Sequence, residues 1–237
     1  KNNRYFISNT RSRNFGRLQL ISNMKDKIVV ITGGSRGLGK ELAKIFTSRG
    51  NKAVICGRNK EEIEKTAKEV GATAFVADVT KEKDVKALAE FTIKSFGRID
   101  IWINNAGVWT PHALIEDTDI QRVRDMFEVN VFGTMYGSKV ALLQMRKQGE
   151  GILVNIISTS ALTSRPMSSG YASSKWALRG FTNSIREEYK EAKIKIIGVY
   201  PGGMKTNLFD EKKPDDIGEY MDPESVAEKI VANLEQK

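Results

Sequence analysis

The sequence predicts an α/β fold in which a doubly wound, mainly parallel sheet forms a single domain. Short apolar runs rich in β-branched residues alternate along the chain with longer stretches that carry apolar residues at helical spacing. Such runs are typical of parallel strands buried on both faces, with crossover helices covering the sheet. No linker or internal repeat interrupts the alternation over the 237 residues, a length that suits one domain.

Six strands are predicted in chain order, each from one short apolar run. They span residues 27–31, 53–56, 73–77, 100–104, 151–157 and 193–200. The helices between them are predicted over residues 40–49, 61–70, 81–96, 123–147 and 169–190. A last helix is predicted to begin at Pro223 behind Asp222, because aspartate caps helices and proline suits their first turn.

A glycine-rich turn joins the first predicted strand to the first helix. It runs from Thr32 to Gly39 in the order Thr-Gly-Gly-Ser-Arg-Gly-Leu-Gly. A pyrophosphate needs bare backbone and a helix N-terminus, so strand, turn and helix together predict a dinucleotide site of the Rossmann fold. The spacing is Gly-x-x-x-Gly-x-Gly rather than the commoner Gly-x-Gly-x-x-Gly, and an ordinary loop is the alternative interpretation.

The end of the second predicted strand bears on the choice of nucleotide. An acidic residue there would hold the ribose 2′-hydroxyl of NAD, but this chain has Gly57 and Arg58. A second guanidinium, Arg36, lies in the glycine turn. Guanidinium groups grip phosphates through two parallel hydrogen bonds, so NADP(H) is the predicted cofactor. Two ordinary surface arginines are the alternative.

Tyr171 and Lys175 stand one helical turn apart. An ammonium beside a phenol favours the phenolate, so the pair predicts a tyrosine that exchanges a proton nearer neutral pH. An amphipathic surface turn is the alternative interpretation. A serine thirteen positions upstream, Ser158, and an Asn-Asn-Ala-Gly turn over residues 104–107 accompany the pair and favour a catalytic role.

These motifs together resemble the short-chain dehydrogenase/reductase family, over about residues 25–236. The resemblance implies a catalytic tetrad of Asn130, Ser158, Tyr171 and Lys175. With the two arginines, the predicted cofactor-binding residues are Gly33, Ser35, Arg36, Gly37, Leu38, Gly39, Arg58, Asp78, Val79, Asn105, Ala106, Gly107, Tyr171, Lys175, Pro201, Gly202 and Thr206.

The resemblance also implies the reaction, a reversible hydride transfer between NADP(H) and a carbonyl or secondary alcohol. Tyr171 would exchange a proton with the substrate oxygen, and Lys175 would stabilise the phenolate and bind the nicotinamide ribose. Ser158 would hold the substrate oxygen, with Ser160 as its competitor and a loop cap as the structural alternative. Asn130 would fix a water in a proton relay. A catalytically silent NADP-binding sensor is the alternative function.

No metal is expected, because one Cys and one His cannot build a zinc site. Cys56 falls in a predicted buried strand and is expected to act as a small apolar residue, and His112 is expected to be a solvated loop residue. The substrate is expected to be a small carbonyl or alcohol with an apolar body. The candidate lining residues are Trp109, Ala161, Leu162, Met167, Gly203, Met204 and Phe209.

The net charge of +9 could indicate nucleic acid or a membrane surface. Residues 1–23 contain five basic and no acidic residues, so they account for more than half of the net charge. The rest of the chain is only weakly basic, and no nucleic-acid partner is expected. No apolar stretch approaches the length of a membrane span. The single cysteine fits a reducing compartment, so the cytoplasm is expected, or an organelle if residues 1–23 are a targeting remnant.

Residues 1–23 are otherwise interpreted as a tag or an upstream segment, and residues 24–237 as the catalytic domain. The family's usual seventh strand is not recognisable at the C-terminal end. Because that strand often helps subunits associate, a homodimer is expected in preference to a tetramer, through the long helices at 123–147 and 169–190.

Overall fold

The computed structural model describes residues 5–8, 24–209, 211–214 and 216–235. Within these residues the strands are β1 (Tyr5–Ser8), β2 (Ile28–Thr32), β3 (Lys52–Gly57), β4 (Thr73–Val76), β5 (Ile101–Asn104), β6 (Gly151–Ile156) and β7 (Ile194–Pro201). The α-helices are α1 (Gly37–Ser48), α2 (Lys60–Val70), α3 (Glu82–Phe96), α4 (Ile120–Phe127), α5 (Gly133–Gln148), α6 (Ser169–Glu188) and α7 (Pro223–Glu235). The predicted strands and helices are confirmed to within a few residues.

All of these strands belong to one sheet with the order β1-β7-β6-β5-β2-β3-β4. Strands β2 to β7 are all parallel to one another, which confirms the predicted doubly wound, mainly parallel α/β fold in a single domain. The chain builds outward from β2 to β4 and then returns to place β5 on the other side of β2. Strand order reverses there, and a ligand crevice forms at such a point at the carboxyl ends of the strands.

Two apolar layers cover the faces of this sheet. Every residue of β2 and β5 is buried, as expected for strands covered on both faces. Successive residues of β2 point to opposite layers: Val29 packs with Leu42 of α1 and Ile230 of α7, and Val30 packs with Leu88 of α3. The short apolar runs of the sequence are therefore the core.

Strand β1 was not anticipated. It lies at the sheet edge, antiparallel to β7, in a register that pairs Tyr5 with Pro201 and Ser8 with Gly198. Residues 5–8 therefore extend the sheet of the domain, whereas the sequence predicts that all of residues 1–23 lie outside it. The signal was a four-residue Tyr-Phe-Ile-Ser run within a polar segment. The interpretation of residues 1–4 and 9–23 as a tag, an upstream segment or a targeting remnant lies outside the described residues.

A π-helical turn divides the helix predicted over residues 123–147. This turn spans Glu128–Phe132 and joins α4 to α5 without a loop. A π turn adds one residue to the helical repeat, so it changes the direction in which its side chains point, and such turns are frequent at functional sites. Asn130 lies within it and is buried, and its carbonyl accepts a hydrogen bond from Thr134 Oγ1 at 2.8 Å.

The last helix packs back on the first. Asp222 caps α7 by accepting a hydrogen bond from the Glu224 backbone N–H at 2.9 Å, and Pro223 is the first residue of the helix, as predicted. On the surface, Lys44 of α1 forms an ion pair with Glu224 at 2.8 Å. Among the described residues, no helix is both long enough and apolar enough to span a membrane.

Candidate active site

A cavity of about 690 Å³ lies at the carboxyl ends of the strands, where β2 and β5 meet. Its wall contains the glycine turn, both arginines, the loop after β5, the Tyr171–Lys175 pair and the loop after β7. Of the residues predicted to bind the cofactor or to act in catalysis, Gly39 and Asn130 are absent from this wall. Residues that are far apart in the sequence thus converge on one cavity.

The glycine turn is pressed against the loop that follows β5. Gly33 has a positive φ of 64°, and a Cβ atom added to it would lie 2.8 Å from Ala106 Cα. Asn105 Nδ2 donates to the carbonyls of Thr32 at 2.9 Å and Gly33 at 3.0 Å. A Cβ at Gly39 would lie 2.2 Å from the Gly33 carbonyl oxygen. Gly39 therefore allows this close packing, and its contact with the cofactor stays a prediction.

The turn leads directly into the N-terminus of α1. Gly37 and Leu38, the first residues of the helix, line the cavity, and no side chain caps the first turn. The helix therefore presents backbone N–H groups and the positive end of its dipole, which favour an anion. Thr206 stands over the turn, because a Cβ at Gly37 would lie 3.2 Å from Thr206 Cγ2.

One end of the cavity is formed by the glycine turn and the end of β3. The Gly34 N–H donates to the Cys56 carbonyl at 3.0 Å, and Thr66 Oγ1 donates to the Ser35 carbonyl at 2.8 Å. The side chains of Arg36 and Arg58 are exposed and belong to the same wall. The two guanidinium groups therefore share a polar rim beside Ser35.

Asp78 and Val79 close this end from the side of β4. Asp78 Oδ1 accepts hydrogen bonds from the Thr80 N–H at 3.1 Å and the Thr80 hydroxyl at 2.8 Å. Cys56 lies beneath and is fully buried. Burial raises the pKa of its thiol to about 12, so it stays protonated and behaves as the small apolar residue that was predicted.

Tyr171 and Lys175 lie on one face of α6, as their spacing predicts. Lys175 Nζ is 5.5 Å from the centroid of the Tyr171 ring, and it approaches the Ile156 carbonyl at 3.5 Å. The loop after β5 lies above the ammonium, since a Cβ at Gly107 would be 3.8 Å from Nζ. Lys175 is buried and Tyr171 is partly buried, so this pair belongs to the cavity and not to a surface turn.

The sequence predicts a lowered pKa for Tyr171, and this prediction is wrong when only the protein's own groups act on the phenol. Burial raises the pKa of Tyr171 to about 12, and a hydrogen bond with Ser158 opposes this rise only in part. Burial also lowers the pKa of Lys175 to about 8. Both shifts have the same cause, because a site that is poor in water disfavours the charged form of each group. Tyr171 therefore carries its proton at neutral pH.

Ser158 contacts Tyr171 and also caps a loop. Its hydroxyl oxygen accepts a hydrogen bond from the Ser160 backbone N–H at 3.1 Å, so the structural alternative is also realised. That bond does not use the hydroxyl proton of Ser158, and Ser158 also forms a side-chain hydrogen bond with Tyr171. Ser160 lines the same cavity, and its backbone N–H is the donor to Ser158.

Asn130 lies behind the pair, at the centre of a set of hydrogen bonds. Its amide accepts from the Val108 N–H at 2.8 Å and donates to the Val108 carbonyl at 3.0 Å. Nδ2 also donates to Ser174 Oγ at 3.2 Å, and Ser174 donates to the Tyr171 carbonyl at 2.8 Å. Asn130 thus ties the loop after β5 to the helical turn that carries Tyr171. The water relay stays a prediction.

The opposite half of the cavity contains part of the lining set that was predicted. Trp109, Gly203, Met204 and Phe209 line the cavity. The prediction is wrong for Ala161, Leu162 and Met167, which do not line it. Ala161 is buried in an apolar cluster against which Leu162 packs, and Met167 is exposed.

Sequence reasoning missed several residues on this side. The residues that also line the cavity are Arg165, Ser168 and Tyr220. They lie outside the strands and the helix interiors, so the local periodicity of the sequence gives no signal for them. His112 is exposed, as expected, but it also lines the cavity and meets the Trp109 ring edge-on at 5.4 Å between centroids.

Comparisons with known proteins agree with this geometry. The short chain dehydrogenase family matches residues 27–217. An uncharacterized oxidoreductase of Staphylococcus saprophyticus is 35% identical over 207 residues, which are 85% of this chain and 84% of that protein.

Two solved structures are also similar. A 3-ketoacyl-(acyl-carrier-protein) reductase from Brucella melitensis, complexed with NADH, has a TM-score of 0.83 and 28% identity, covering 88% of this chain and 90% of that one. An alcohol dehydrogenase from the archaeon Thermococcus sibiricus, complexed with 5-hydroxy-NADP, has a TM-score of 0.81 and 25% identity, covering 90% and 92%. The match over most of the chain, together with the fold and the cavity, shows that this protein is an oxidoreductase of the short-chain dehydrogenase family.

Proposed function

We propose that this protein is an NADPH-dependent oxidoreductase that interconverts a carbonyl and a secondary alcohol on a small substrate with an apolar body. One observation carries the proposal: Tyr171, Ser158 and Lys175 meet on the wall of a cavity that continues into the glycine turn. A proton donor therefore lies in the same cavity as a dinucleotide cradle.

The residues of the cradle fit a nicotinamide dinucleotide. The open backbone at Gly33 and the N-terminus of α1 suit a pyrophosphate, and a Cβ at Gly33 would be blocked by Ala106. Pro201 at the end of β7 and Gly202 and Thr206 in the loop after it also line the cavity, and Thr206 lies against Gly37 of the glycine turn. When bound there, NADPH would supply the hydride.

The protein's own groups would handle the proton and the substrate oxygen. Because the Tyr171 hydroxyl is neutral at physiological pH, it can donate its proton to the carbonyl oxygen as that oxygen gains negative charge. The Ser158 hydroxyl would donate a second hydrogen bond to the same oxygen. Lys175, as an ammonium, would stabilise the phenolate that remains until it is protonated again.

Substitution of Tyr171 by Phe tests this proposal. The ring still fills the space, so NADPH binding should change little, whereas turnover should fall by at least about 100-fold because the general acid is lost. Binding is measured by nucleotide fluorescence, and turnover by NADPH oxidation across a panel of ketones and aldehydes. Tyr189→Phe is the control, because Tyr189 is a partly buried tyrosine that packs against the core and does not line the cavity. Retained activity in Tyr171→Phe would exclude this mechanism, and a wild type that binds NADPH but reduces nothing would support the sensor alternative.

The preference for NADPH over NADH is part of the proposal. Its support is the polar rim of Ser35, Arg36 and Arg58, in which Arg58 rather than an acidic residue directly follows β3. Replacing both arginines with Ala should weaken NADPH binding by about 10- to 100-fold and leave NADH binding nearly unchanged. Arg146→Ala, on the last turn of α5, is the control. An equal loss for both nucleotides would contradict the assignment.

A homodimer through α5 and α6 is also proposed. Leu143 of α5 and Trp176 of α6 are exposed apolar side chains, at 57% and 43%, and apolar surface of this kind favours association. Leu143→Glu should shift the sedimentation coefficient from that of a dimer to that of a monomer. We also propose a cytoplasmic location, with an organelle as the alternative, because the single cysteine, the buried Cys56, forms no internal disulfide.

A further inference from the structure

The substrate half of the cavity has an aromatic wall, formed by Trp109, Phe209 and Tyr220. The ring centroids of Trp109 and Phe209 are 5.1 Å apart, and those of Phe209 and Tyr220 are 5.5 Å apart. Both pairs meet edge to face, which is the favourable arrangement for aromatic rings. The three residues come from the loop after β5, the turn after β7 and the segment before α7. They form one continuous apolar surface that suits a flat, apolar molecule.

The backbone holds the aromatic wall in place. The Tyr220 ring rests on the backbone of Gly203, where an added Cβ would lie 2.7 Å from the ring atoms. The next residue, Met221, donates its N–H to the Gly203 carbonyl and accepts from the Lys205 N–H, both at 2.9 Å. The segment before α7 is thereby fastened to the loop after β7. The aromatic wall is preformed, which reduces the entropy cost of binding.

A cation stands at the mouth of the same half. Arg165 comes from the loop between β6 and α6 and lines the cavity, with an exposed side chain. Its charge reaches the Tyr220 hydroxyl, where it favours the phenolate and so opposes the raised pKa of that group. Arg165 and the aromatic wall therefore face the same space.

Arg165 forms no salt bridge with the residues that the structure describes, although its charge acts on the Tyr220 hydroxyl. Arg122 forms a bidentate ion pair with the Glu211 carboxylate. Arg179 donates to the Ala161 carbonyl at 2.9 Å. The carboxylate of Asp216 acts on the Tyr220 hydroxyl and contributes to the raised pKa of that group. The Arg165 guanidinium lines the cavity beside the aromatic wall, so it can receive an anion there.

We propose that the natural substrate is a carbonyl compound with a flat apolar body and a carboxylate end, bound between the aromatic wall and Arg165. This inference rests on the proposed function, since it names the substrate class of the same cavity. The carbonyl would be directed to Tyr171 and Ser158, the body would lie on the aromatic wall, and the carboxylate would be held by the guanidinium at the mouth. An arginine and a carboxylate form two parallel hydrogen bonds with a fixed geometry, so the anion would set the orientation of the substrate.

Binding of matched probes tests this inference without requiring turnover. The probes are 3-benzoylpropionate, 4-benzoylbutyrate and 5-benzoylvalerate, each compared with its methyl ester, so that only the charge differs within a pair. Dissociation constants are measured by calorimetry with and without NADP⁺, which cannot reduce the ketone. At least one acid should bind about ten-fold more tightly than its ester, because a charge-assisted hydrogen bond is gained.

The variants assign this preference to particular residues. Arg165→Gln should remove the preference for the acid and leave the ester unchanged, Arg165→Lys should keep part of it, and Trp109→Ala should weaken acid and ester alike. Arg146→Gln is the control for a lost surface charge. Equal binding of acid and ester across the series, or an equal effect of Arg165→Gln on both, would overturn the inference.

The same experiment separates this inference from the proposed function. If the nucleotide binds and the esters are reduced with NADPH while the acids have no advantage, the oxidoreductase proposal stands and the carboxylate class is wrong. If NADP⁺ and NADPH do not bind at all, the proposed function fails. The dissociation constants of acid and ester measured without nucleotide would still show whether Arg165 binds the carboxylate.

Discussion

Asn130 and Val108 are joined by a pair of hydrogen bonds, in which the Asn130 side-chain amide accepts from the Val108 N–H at 2.8 Å and donates to the Val108 carbonyl at 3.0 Å. An amide side chain is suited to this task because it has a donor and an acceptor side by side. The pair fixes the loop after β5, which crosses above Lys175. The π turn of Glu128–Phe132 places Asn130 in position for it.

Substituting Asn130 by Asp should therefore destabilise the protein in a pH-dependent way. At pH 8 an ionised carboxylate would be buried against the Val108 carbonyl, at a cost of about 2–4 kcal/mol. A protonated carboxyl can donate to that carbonyl. Since its pKa would be higher in the folded than in the unfolded chain, the loss of stability should grow as pH rises through the folded value.

Urea unfolding at pH 5 and pH 8 measures this difference. Asn59→Asp is the matched control, because Asn59 caps α2 only as an acceptor from the Glu62 N–H at 3.1 Å and an aspartate caps as well. If Asn130→Asp is as stable as wild type at pH 8, the hydrogen bond to the Val108 carbonyl contributes nothing to the free energy of unfolding.

The two serines at the cavity should differ sharply. Ser158→Ala removes the hydrogen bond to Tyr171 and the acceptor for the Ser160 N–H, so kcat should fall by about 10- to 1000-fold, as when one donor to a reacting oxygen is lost. Ser160→Ala keeps its backbone N–H, and kcat should fall less than three-fold or so. The comparison uses steady-state rates with a ketone found in the screen. If kcat fell more in Ser160→Ala than in Ser158→Ala, Ser160 and not Ser158 would be the serine that binds the substrate oxygen.

Lys175 should make stability depend on pH in the alkaline range. Its pKa is about 8 in the folded protein, below the ordinary value of 10.5, so between these values the unfolded chain holds more protons. The free energy of unfolding should therefore rise with pH from 8 to 10.5, by at most about 3 kcal/mol.

Lys175→Met should abolish this rise, because methionine fills similar space without a charge. The variant is expected to be more stable than wild type at pH 7 and to lose that advantage above pH 10. Thermal unfolding of both proteins from pH 7 to pH 10.5 provides the measurement. A difference that is constant over this range would mean that the ammonium is not buried in solution.

Two helical glycines should respond in opposite ways to alanine. At Gly137 of α5, a Cβ would lie 2.1 Å from Asn104 Oδ1 and 2.8 Å from Trp102 Nε1, two atoms that are hydrogen-bonded to each other at 2.7 Å. Gly137→Ala should cost about 2–4 kcal/mol, since it breaks a buried polar network.

Gly180 of α6 is the matched position, because nothing lies within 4 Å of a Cβ added there. Gly180→Ala should stabilise the protein by about 0.5–1 kcal/mol through helix propensity alone. Both free energies come from denaturant unfolding monitored by circular dichroism. Equal effects at the two positions would contradict the tight packing of α5 on β5.

The edge strand β1 should stabilise the end of β7. It pairs with residues that lead into the Pro201–Gly202 turn, so its loss would leave the backbone groups of β7 open to other chains. Deleting residues 1–23 should lower the melting temperature by about 5 °C and promote aggregation, whereas deleting residues 1–4 should leave both unchanged. Differential scanning calorimetry and light scattering measure the two effects, and identical behaviour of the deletions would exclude a role for β1.

Local patterns in the sequence determined much of this protein. The apolar runs of β2 to β7 predict a parallel sheet, because strands covered on both faces need continuous apolar residues. The four-residue spacing of Tyr171 and Lys175 places them on one helical face, and the glycine turn predicts a dinucleotide cradle from backbone sterics. Each of these inferences depends on residues that are close together in the chain.

Only the tertiary structure decided the features that depend on distant residues. Trp109, Phe209 and Tyr220 form one wall because three loops meet at the carboxyl edge of the sheet, and no periodicity links them. The π turn at Asn130 and the edge strand at Tyr5–Ser8 arise from pairing and packing that local propensity does not encode. The pKa of Tyr171 is raised and not lowered, because the burial that dominates it is created only when the chain folds.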